Sequence, residues 1–346
     1  MRWTERFAAG LPIFVVSTPA AVVVAGVDTP ATGRSHDDGT VRWTSDATTD
    51  VAPAAAEGLV FLASGRRFDV LDAATGARRW SAALRDAVAR TPGWVDGGVV
   101  VATGSGIEAF RTTGTTAVWA IDLPGIVTDP VVAGGAVFVG LESGHLVALT
   151  LATGAERWRA ALPAPATDIT AADGRLFFAT RDGSWFAYAQ SDGERLWQAR
   201  ARVGAVGRPA AGDEHVYVAF LDNTIQAFDR SSGNRRWVAL LDDRPTAAPR
   251  LLGSNVVMPT PDGGLLAVRA GGAAPDSRRV FAAPEDMTGA TFQALAVDAA
   301  AGSLYLLTSG TDAPGFQLTK VGPPAPARGR GPARRLISST SMPRQP

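Results

Sequence analysis

Seven tryptophans return at nearly one interval along this chain. Trp3, Trp43, Trp80, Trp119, Trp158, Trp197 and Trp237 are spaced 40, 37, 39, 39, 39 and 40 residues apart, and Trp94 and Trp185 fall outside the series. A fixed period of this length marks a repeat architecture and overrides any domain count taken from the 346-residue length. The residues before each tryptophan repeat as well. They read "SHDDGTVRW" (35–43), "DAATGARRW" (72–80), "TLATGAERW" (150–158), "AQSDGERLW" (189–197) and "DRSSGNRRW" (229–237). A glycine stands four residues before the tryptophan in each: Gly39, Gly76, Gly154, Gly193 and Gly233. The copy "RTTGTTAVW" shifts its glycine by one, to Gly114.

A side-chain oxygen precedes each glycine: Asp38, Thr75, Thr113, Thr153, Asp192 and Ser232. This is turn chemistry, since the oxygen caps a backbone N–H and glycine accepts positive φ. The residues between glycine and tryptophan then read as a strand. Upstream lie further short β-rich runs, such as "PVVAG", "AVFVGL" and "HLVALTL", joined by Gly134-Gly135 and Ser143-Gly144. Such joints are hairpin signals. Each unit is therefore four antiparallel strands in about 39 residues, one propeller blade. The recurring tryptophan is suited to the gap between blades, and the glycines to the turns.

The fragments "ALTLATGAERW" and "AFDRSSGNRRW" resemble the A-x-D-x-x-T-G-x-x-x-W motif of the pyrroloquinoline-quinone-type (PQQ-like) propeller repeat. Its alanine matches Ala109, Ala148, Ala187 and Ala227, while Val70 departs from it, and its aspartate survives at Asp72 and Asp229. The resemblance covers roughly residues 1–320. It implies an all-β fold: a single β-propeller of eight four-stranded blades, with seven as the alternative. The expected blades are 4–43, 44–80, 81–119, 120–158, 159–197, 198–237, 238–281 and 282–322 plus 1–3. The seventh ends at "RRVF" without a tryptophan, and the eighth runs out of sequence before a fourth strand. "MRWTERF" supplies that strand, so the N-terminal strand is expected to close the ring.

The same opening can be read as a secretory signal, since an apolar run follows Arg2 and Arg6. Glu5 in the charged region and Pro12 and Pro19 in the apolar stretch speak against that. The opening also parallels residues 42–65 of the next unit. Residues 323–346 are rich in Pro, Gly and Arg, with five arginines and no acid, and are expected to be a disordered tail.

Composition removes several function classes. Formal net charge is zero, which argues against a nucleic-acid partner. There is no cysteine, so disulfides, thiolate metal sites and cysteine nucleophiles are excluded. No uninterrupted apolar run reaches the ~18 residues of a membrane helix. His36, His145 and His215 fall in different blades and are read as separate surface residues. Asp129 and Asp168 lie at blade starts and could approach the axis, but the favoured reading is loop aspartates in solvent. "GSGIEA" (104–109) mimics a dinucleotide fingerprint, yet a turn and strand follow it rather than a helix, so it reads as a hairpin.

The quinone-dependent dehydrogenases of this family carry a vicinal cysteine pair, a catalytic aspartate and calcium ligands, and none of these sets is recognisable here. The chain is similar instead to the family's non-catalytic, BamB-like branch. That branch implies a scaffold binding another protein, with outer-membrane assembly as its setting. No catalytic, cofactor or metal residue is expected, and the protein is expected to be a monomer. The family is mostly exported, so the periplasm or cell envelope is the expected compartment, with the cytoplasm as alternative. A quinone-binding enzyme or sensor, and a small-ligand or polysaccharide binder, are the rival readings. The loops "ARARVGAVGRP" (199–209) and "LLDDRPT" (240–246) share one face of a propeller, so Arg200, Arg202, Arg208, Asp242, Asp243 and Arg244 form the candidate partner-binding patch.

Overall fold

Eight four-stranded antiparallel sheets build the chain. The structure, a computed structural model, describes residues 3–8, 12–95, 97–200, 203–271, 278–281, 291–298, 301–309 and 316–322. Blade 1 runs from its inner strand Ile13–Ser17 through Val22–Gly26 and Thr32–Arg34 to its outer strand Val41–Thr44. Blades 2 to 7 repeat the order. Their inner strands begin at Ala54, Gly93, Val131, Ala166, Ala210 and Arg250, and their outer strands begin at Arg78, Ala117, Glu156, Arg195, Arg235 and Arg278. Blade 8 takes Thr291–Asp298, Ser303–Ser309 and Phe316–Val321 from the C-terminal part and Trp3–Phe7 from the N-terminal part. Trp3 lies opposite Lys320 and Phe7 opposite Phe316 in that last antiparallel pair. The expected eight-bladed closure by the N-terminal strand is the observed one.

The core follows from the blade geometry. A blade's two middle strands are apolar on both faces, as in Val60–Ala63 and Val137–Val139, which are fully buried. Each face packs on a neighbour, so the buried residues divide into eight clusters, one per gap between adjacent blades.

The tryptophans sit in those gaps. The indole N–H of Trp3, Trp43, Trp80, Trp119, Trp158 and Trp197 donates to a carbonyl of the next blade: His36, Ala73, Thr112, Leu151, Gln190 and Arg230, at 2.6–3.1 Å. The ring lies against the motif glycine of that next blade. A Cβ on Gly193 would stand 2.6 Å from the Trp158 ring, and one on Gly233 would stand 2.7 Å from Trp197. Gly39, Gly76 and Gly154 receive Trp3, Trp43 and Trp119 in the same way. Gly114, shifted by one in the sequence, does not: its nearest neighbour would be Arg111 Cβ at 3.9 Å.

The motif's alanine has a matching cause. Ala109, Ala148, Ala187 and Ala227 stand directly across the strand pair from Trp119, Trp158, Trp197 and Trp237. Gly33 faces Trp43 likewise, and Val70 faces Trp80. The residue before each glycine caps as its chemistry suggests. Thr75, Thr153 and Ser232 hydroxyls and Asp38 and Asp192 carboxylates accept the N–H two residues on, at 2.9–3.3 Å. The motif aspartates add a second anchor. Asp229 accepts from the Ser231 hydroxyl, pairs with Arg236 at 2.6 Å and accepts from the backbone N–H groups of Ser231 and Ser232; the Ser231 hydroxyl first, then Arg236, hold its carboxyl far below the usual range.

Two tryptophans depart from the pattern. The indole N–H of Trp237 is buried with no partner among the described residues, and the Ala270 carbonyl in the equivalent place accepts the Tyr217 hydroxyl at 2.7 Å. Trp185, outside the series, is nonetheless fully buried between blades 5 and 6, with its ring centroid 4.7 Å from that of Trp197.

Denaturant melts of four variants check this account. Trp158→Ala removes a docking ring and is expected to cost about 3 kcal/mol, whereas Trp94→Ala, at a side chain 43% exposed, costs under ~1 kcal/mol. Gly193 has φ +75° beneath the Trp158 ring, so Gly193→Ala is expected to cost about 2 kcal/mol through strain and overlap. Gly114→Ala meets neither obstacle and is expected to be neutral within about 0.5 kcal/mol.

Candidate functional site

The inner strands leave a lumen on the ring axis. It holds a cavity of about 540 Å³ whose lining includes residues of all eight blades. Most of the lining residues are apolar in type, such as Val15, Val131, Val132 and Val297, while about half of the exposed wall is polar. The polar groups are concentrated. Asp129 (blade 4), Asp168 (blade 5), Arg208 (blade 6) and Arg250 (blade 7) face the same space from four consecutive blades. Three of them stand just before or at the start of an inner strand, at equivalent points of the repeat: Asp129-Pro130, Asp168-Ile169 and Arg208-Pro209. A residue before proline is held extended, which suits the descent into an inner strand.

These charges form a chain. Arg208 Nη2 lies 3.3 Å from Asp129 Oδ2 and 3.1 Å from Asp168 Oδ1, and its Nε donates to Asp168 Oδ1 at 3.2 Å. Asp129 Oδ1 also accepts the Thr91 backbone N–H of blade 3 at 3.1 Å. Burial in the ring raises the Asp129 carboxyl above its ordinary value. The nearby Asp168 pushes the same way, and Arg208 only partly offsets them. Arg250 is different. Its head is open to the lumen, and no hydrogen bond or ion pair to it is found among the described residues. Surrounding protein lowers its guanidinium below the ordinary value, Arg208 adds like-charge repulsion, and Asp168 and Asp129 oppose both. Across the ring, in blade 3, Trp94 lines the same lumen with a side chain left 43% exposed.

Two sequence expectations are corrected here. Asp129 and Asp168 are not loop aspartates in solvent but ion-paired groups of the channel, brought together because equivalent repeat positions converge on the axis. His36 is not a surface residue. It is half-buried between blades 8 and 1, with Nε2 2.8 Å from Thr18 O and Nδ1 2.5 Å from the Tyr305 hydroxyl. A carbonyl only accepts, so Nε2 carries the proton and Nδ1 accepts from Tyr305. Burial pushes that hydroxyl up to about 12. His145 remains near solvent beside Ser143, and His215 lies against Tyr217. "GSGIEA" is the hairpin expected, its glycines flanking the turn into the strand Gly106–Arg111.

The six-residue patch is not brought together as a unit. Arg208 turns into the channel. Asp243 pairs with Arg279 of blade 7, which also holds Asp262 at 2.5 Å. Arg200, Asp242 and Arg244 are exposed or near the surface, and Arg202 lies outside the described residues, as does the tail 323–346. The same face carries two apolar residues that the patch omitted. Leu240, the last residue of blade 6's outer strand, is 72% exposed, and Leu221, in that blade's turn between its second and third strands, is 45% exposed. Leu241 N donates to Asn223 O at 2.8 Å, which ties the end of the outer strand to that turn, while Leu221 N donates to Gly204 O at 3.1 Å, in the loop that enters the blade.

A second cavity, of about 700 Å³, opens on the opposite face between blades 5 and 6. There Arg230, nearly buried, donates to the Gly212 and Asp213 carbonyls and pairs with Asp173 at 2.6 Å. Among the described residues no three metal-ligating side chains converge.

The channel does not fit the quinone that names this repeat. That molecule is a tricarboxylate, and two aspartates face the lumen while Arg208 is committed to them. One free guanidinium remains for three negative groups.

The charged chain sets a pH-dependent stability. Arg208→Ala leaves Asp129 and Asp168 facing each other, and is expected to cost about 1–2 kcal/mol at neutral pH for a partly solvated cluster. Asp129's folded-state pKa lies above its unfolded value, so the folded state holds the proton more tightly. The loss in Arg208→Ala therefore grows as pH rises through the folded pKa and shrinks as pH falls towards about 4. Urea titrations of both proteins across that range test the sign.

Comparisons with known proteins agree on the fold. The profile of the PQQ-type family described as "Outer membrane protein assembly factor BamB" matches residues 23–167, 104–206 and 166–311. The structure of BamB from Moraxella catarrhalis superposes with a TM-score of 0.69 at 18% identity, covering 91% of this chain and 96% of that one. The computationally designed Ika8 protein gives 0.70 at 14% identity, covering 88% and 95%. The C-terminal WD40 domain of Sif2 gives 0.74 at 9% identity, covering 92% and 97%. At these identities the likeness is one of fold. A curated relative, the serine/threonine-protein kinase AfsK of Streptomyces griseus, is 32% identical over 125 residues, which span 32% of this chain and 16% of the kinase.

Proposed function

The chain belongs to the PQQ-type propeller family described as outer membrane protein assembly factor BamB, and from that premise we propose that it is a non-catalytic scaffold that binds another protein through the blade 6 edge of one face. The observation that carries this reading is Leu240, left 72% exposed on the same face of blade 6 as the exposed Leu221. Asp222, Asp242, Arg200 and Arg244, all exposed, surround the two leucines in sequence and on neighbouring loops. An apolar centre within a rim of both charges is the anatomy of a protein interface, in which arginine is enriched and a few apolar anchors carry most of the binding. Two exposed leucines on one face are also more than a scattered single. The partner chemistry this fits is a protein presenting an apolar anchor flanked by charges of both signs. The family description supplies the setting to test, assembly of outer-membrane proteins in the cell envelope.

A second reading, a ligand-sensing propeller, is favoured by one observation, the unpaired Arg250 in the channel. A stretch of a kinase aligns with this chain, which suits a module read by a larger signalling protein.

The double variant Leu221→Glu/Leu240→Glu separates the readings. Both residues are exposed, so its melting temperature should stay with the wild type. Affinity capture from envelope extracts should retain an outer-membrane assembly component with the wild-type protein, and at least about tenfold less with the variant. Equal retention would remove the blade 6 face as the binding surface. Captured proteins unconnected with the envelope would remove the proposed setting.

A further inference from the structure

The channel is a site of its own, separate from the blade 6 face. Its electrostatics are incomplete in one respect. Asp129, Asp168 and Arg208 satisfy each other and together carry a net charge of −1. Arg250 returns the lumen to neutrality, yet it has no anion of its own among the described residues and stands near a second guanidinium, Arg208. A charged group held in a confined, partly desolvated lumen with a like charge beside it is costly unless an opposite charge arrives. The other half of the lumen is apolar. Blades 3 and 7 stand opposite each other in an eight-membered ring, so Trp94 faces Arg250 across the channel. An aromatic surface left open inside a concave cavity, beside apolar side chains and a few convergent polar groups, is a usual feature of a small-molecule site, and a volume of about 540 Å³ lies in the range of such sites.

We propose that the central channel binds a small organic monocarboxylate, with its carboxylate on the Arg250 guanidinium and its apolar body lying towards Trp94 and the valine wall. Arginine's planar fork matches a carboxylate with two parallel hydrogen bonds. The single negative charge is set by the acids. Asp129 and Asp168 face the same lumen, so a second carboxylate on the ligand would be placed in their field. The Asp129–Arg208–Asp168 chain thus acts as a selectivity element, and Arg250 is the binding residue. This goes beyond the scaffold reading and does not depend on it.

Calorimetric titration with phenylacetate and hexanoate tests the proposal, with phenylacetamide as the uncharged match and phenylmalonate as the dianion. The wild-type protein should bind at least one of the two monocarboxylates. For phenylacetate the preference over the amide, and over the dianion, should be at least about tenfold. Arg250→Gln should lose about tenfold in affinity for the monocarboxylate and most of the preference over the amide, while melting with the wild type. Arg250→Lys, which keeps the charge without the fork, should recover part of the loss. Trp94→Leu should weaken the acid and the amide together, leaving their ratio unchanged. Leu221→Glu/Leu240→Glu should bind as the wild type, so failure here and failure of the scaffold reading are read separately. The proposal is overturned if neither monocarboxylate binds at about 10 mM, if the amide or the dianion binds as well as phenylacetate, or if Arg250→Gln binds at wild-type strength.

Discussion

The ring depends on one repeated contact, an indole from the outer strand of one blade lying on the glycine turn of the next. A propeller blade has no independent core, so its stability comes from its neighbours. The contact joins two blades in three ways at once. The ring covers apolar surface, its N–H satisfies a carbonyl at the end of a strand, and its flat face excludes any Cβ from the turn beneath. The third effect is the most demanding. Gly193 cannot gain a side chain while Trp158 stays seated, and Ala148 across the strand pair must stay small beneath the same ring. Sequence spacing, turn type and residue size are therefore consequences of one geometry rather than separate preferences.

That geometry explains why the architecture could be read from the sequence. Tryptophan, glycine and alanine are constrained in identity and in offset, so the period survives where the rest of the blade varies. Even the weak members were informative. Blade 7 ends at Arg278–Phe281 with Arg278 across the strand pair from Ala267, the place where other blades put tryptophan, and blade 8 lacks an outer strand until Trp3–Phe7 provides it. What the spacing could not convey is whether every tryptophan in the series makes the same bond. Trp237 does not, and the Ala270 carbonyl that stands in the equivalent place accepts the hydroxyl of Tyr217, a residue outside the motif. Trp185, off the period, is as buried as any residue in the core.

The channel was much less legible, and for a physical reason. Packing between blades repeats, so it writes the same residues seven times. The lumen is a single place shared by eight blades, and each contributes a different residue to it. Asp129, Asp168 and Arg208 do occupy equivalent repeat positions, 39 and 40 residues apart, so the signal existed. It was masked by the change of charge from one copy to the next, and by treating Arg208 as a loop residue grouped with Asp242 and Asp243. Arg250 falls two residues beyond its equivalent, Ala248, because Pro249 intervenes. Reading the position before each inner strand as a ring, rather than reading each loop as a rim, brings the acids and Arg208 together.

The seam where the chain is discontinuous is furnished more richly than the others. In blades 1 to 7 the four strands follow one another along the polypeptide, whereas in blade 8 the outer strand comes from the other end of the chain. Blades 8 and 1 meet where the N-terminal strand has crossed to the C-terminal blade, and the pairing Trp3–Phe7 with Phe316–Lys320 must hold the ring shut. The His36 carbonyl there accepts from both the Trp3 indole and the Lys320 ammonium, at 2.9 and 2.8 Å. The His36 ring joins Tyr305 to Thr18, and Arg34 lies 4.6 Å from the centre of the Phe7 ring. Apart from the Trp3 indole bond, these contacts do not belong to the repeat. They are additions beside the one blade whose strands are not continuous along the chain, and they help make an open array of similar blades into a closed ring with a defined lumen. The lumen in turn requires that closure, since Asp129, Asp168, Arg208 and Arg250 face one another only while all eight inner strands surround the same axis.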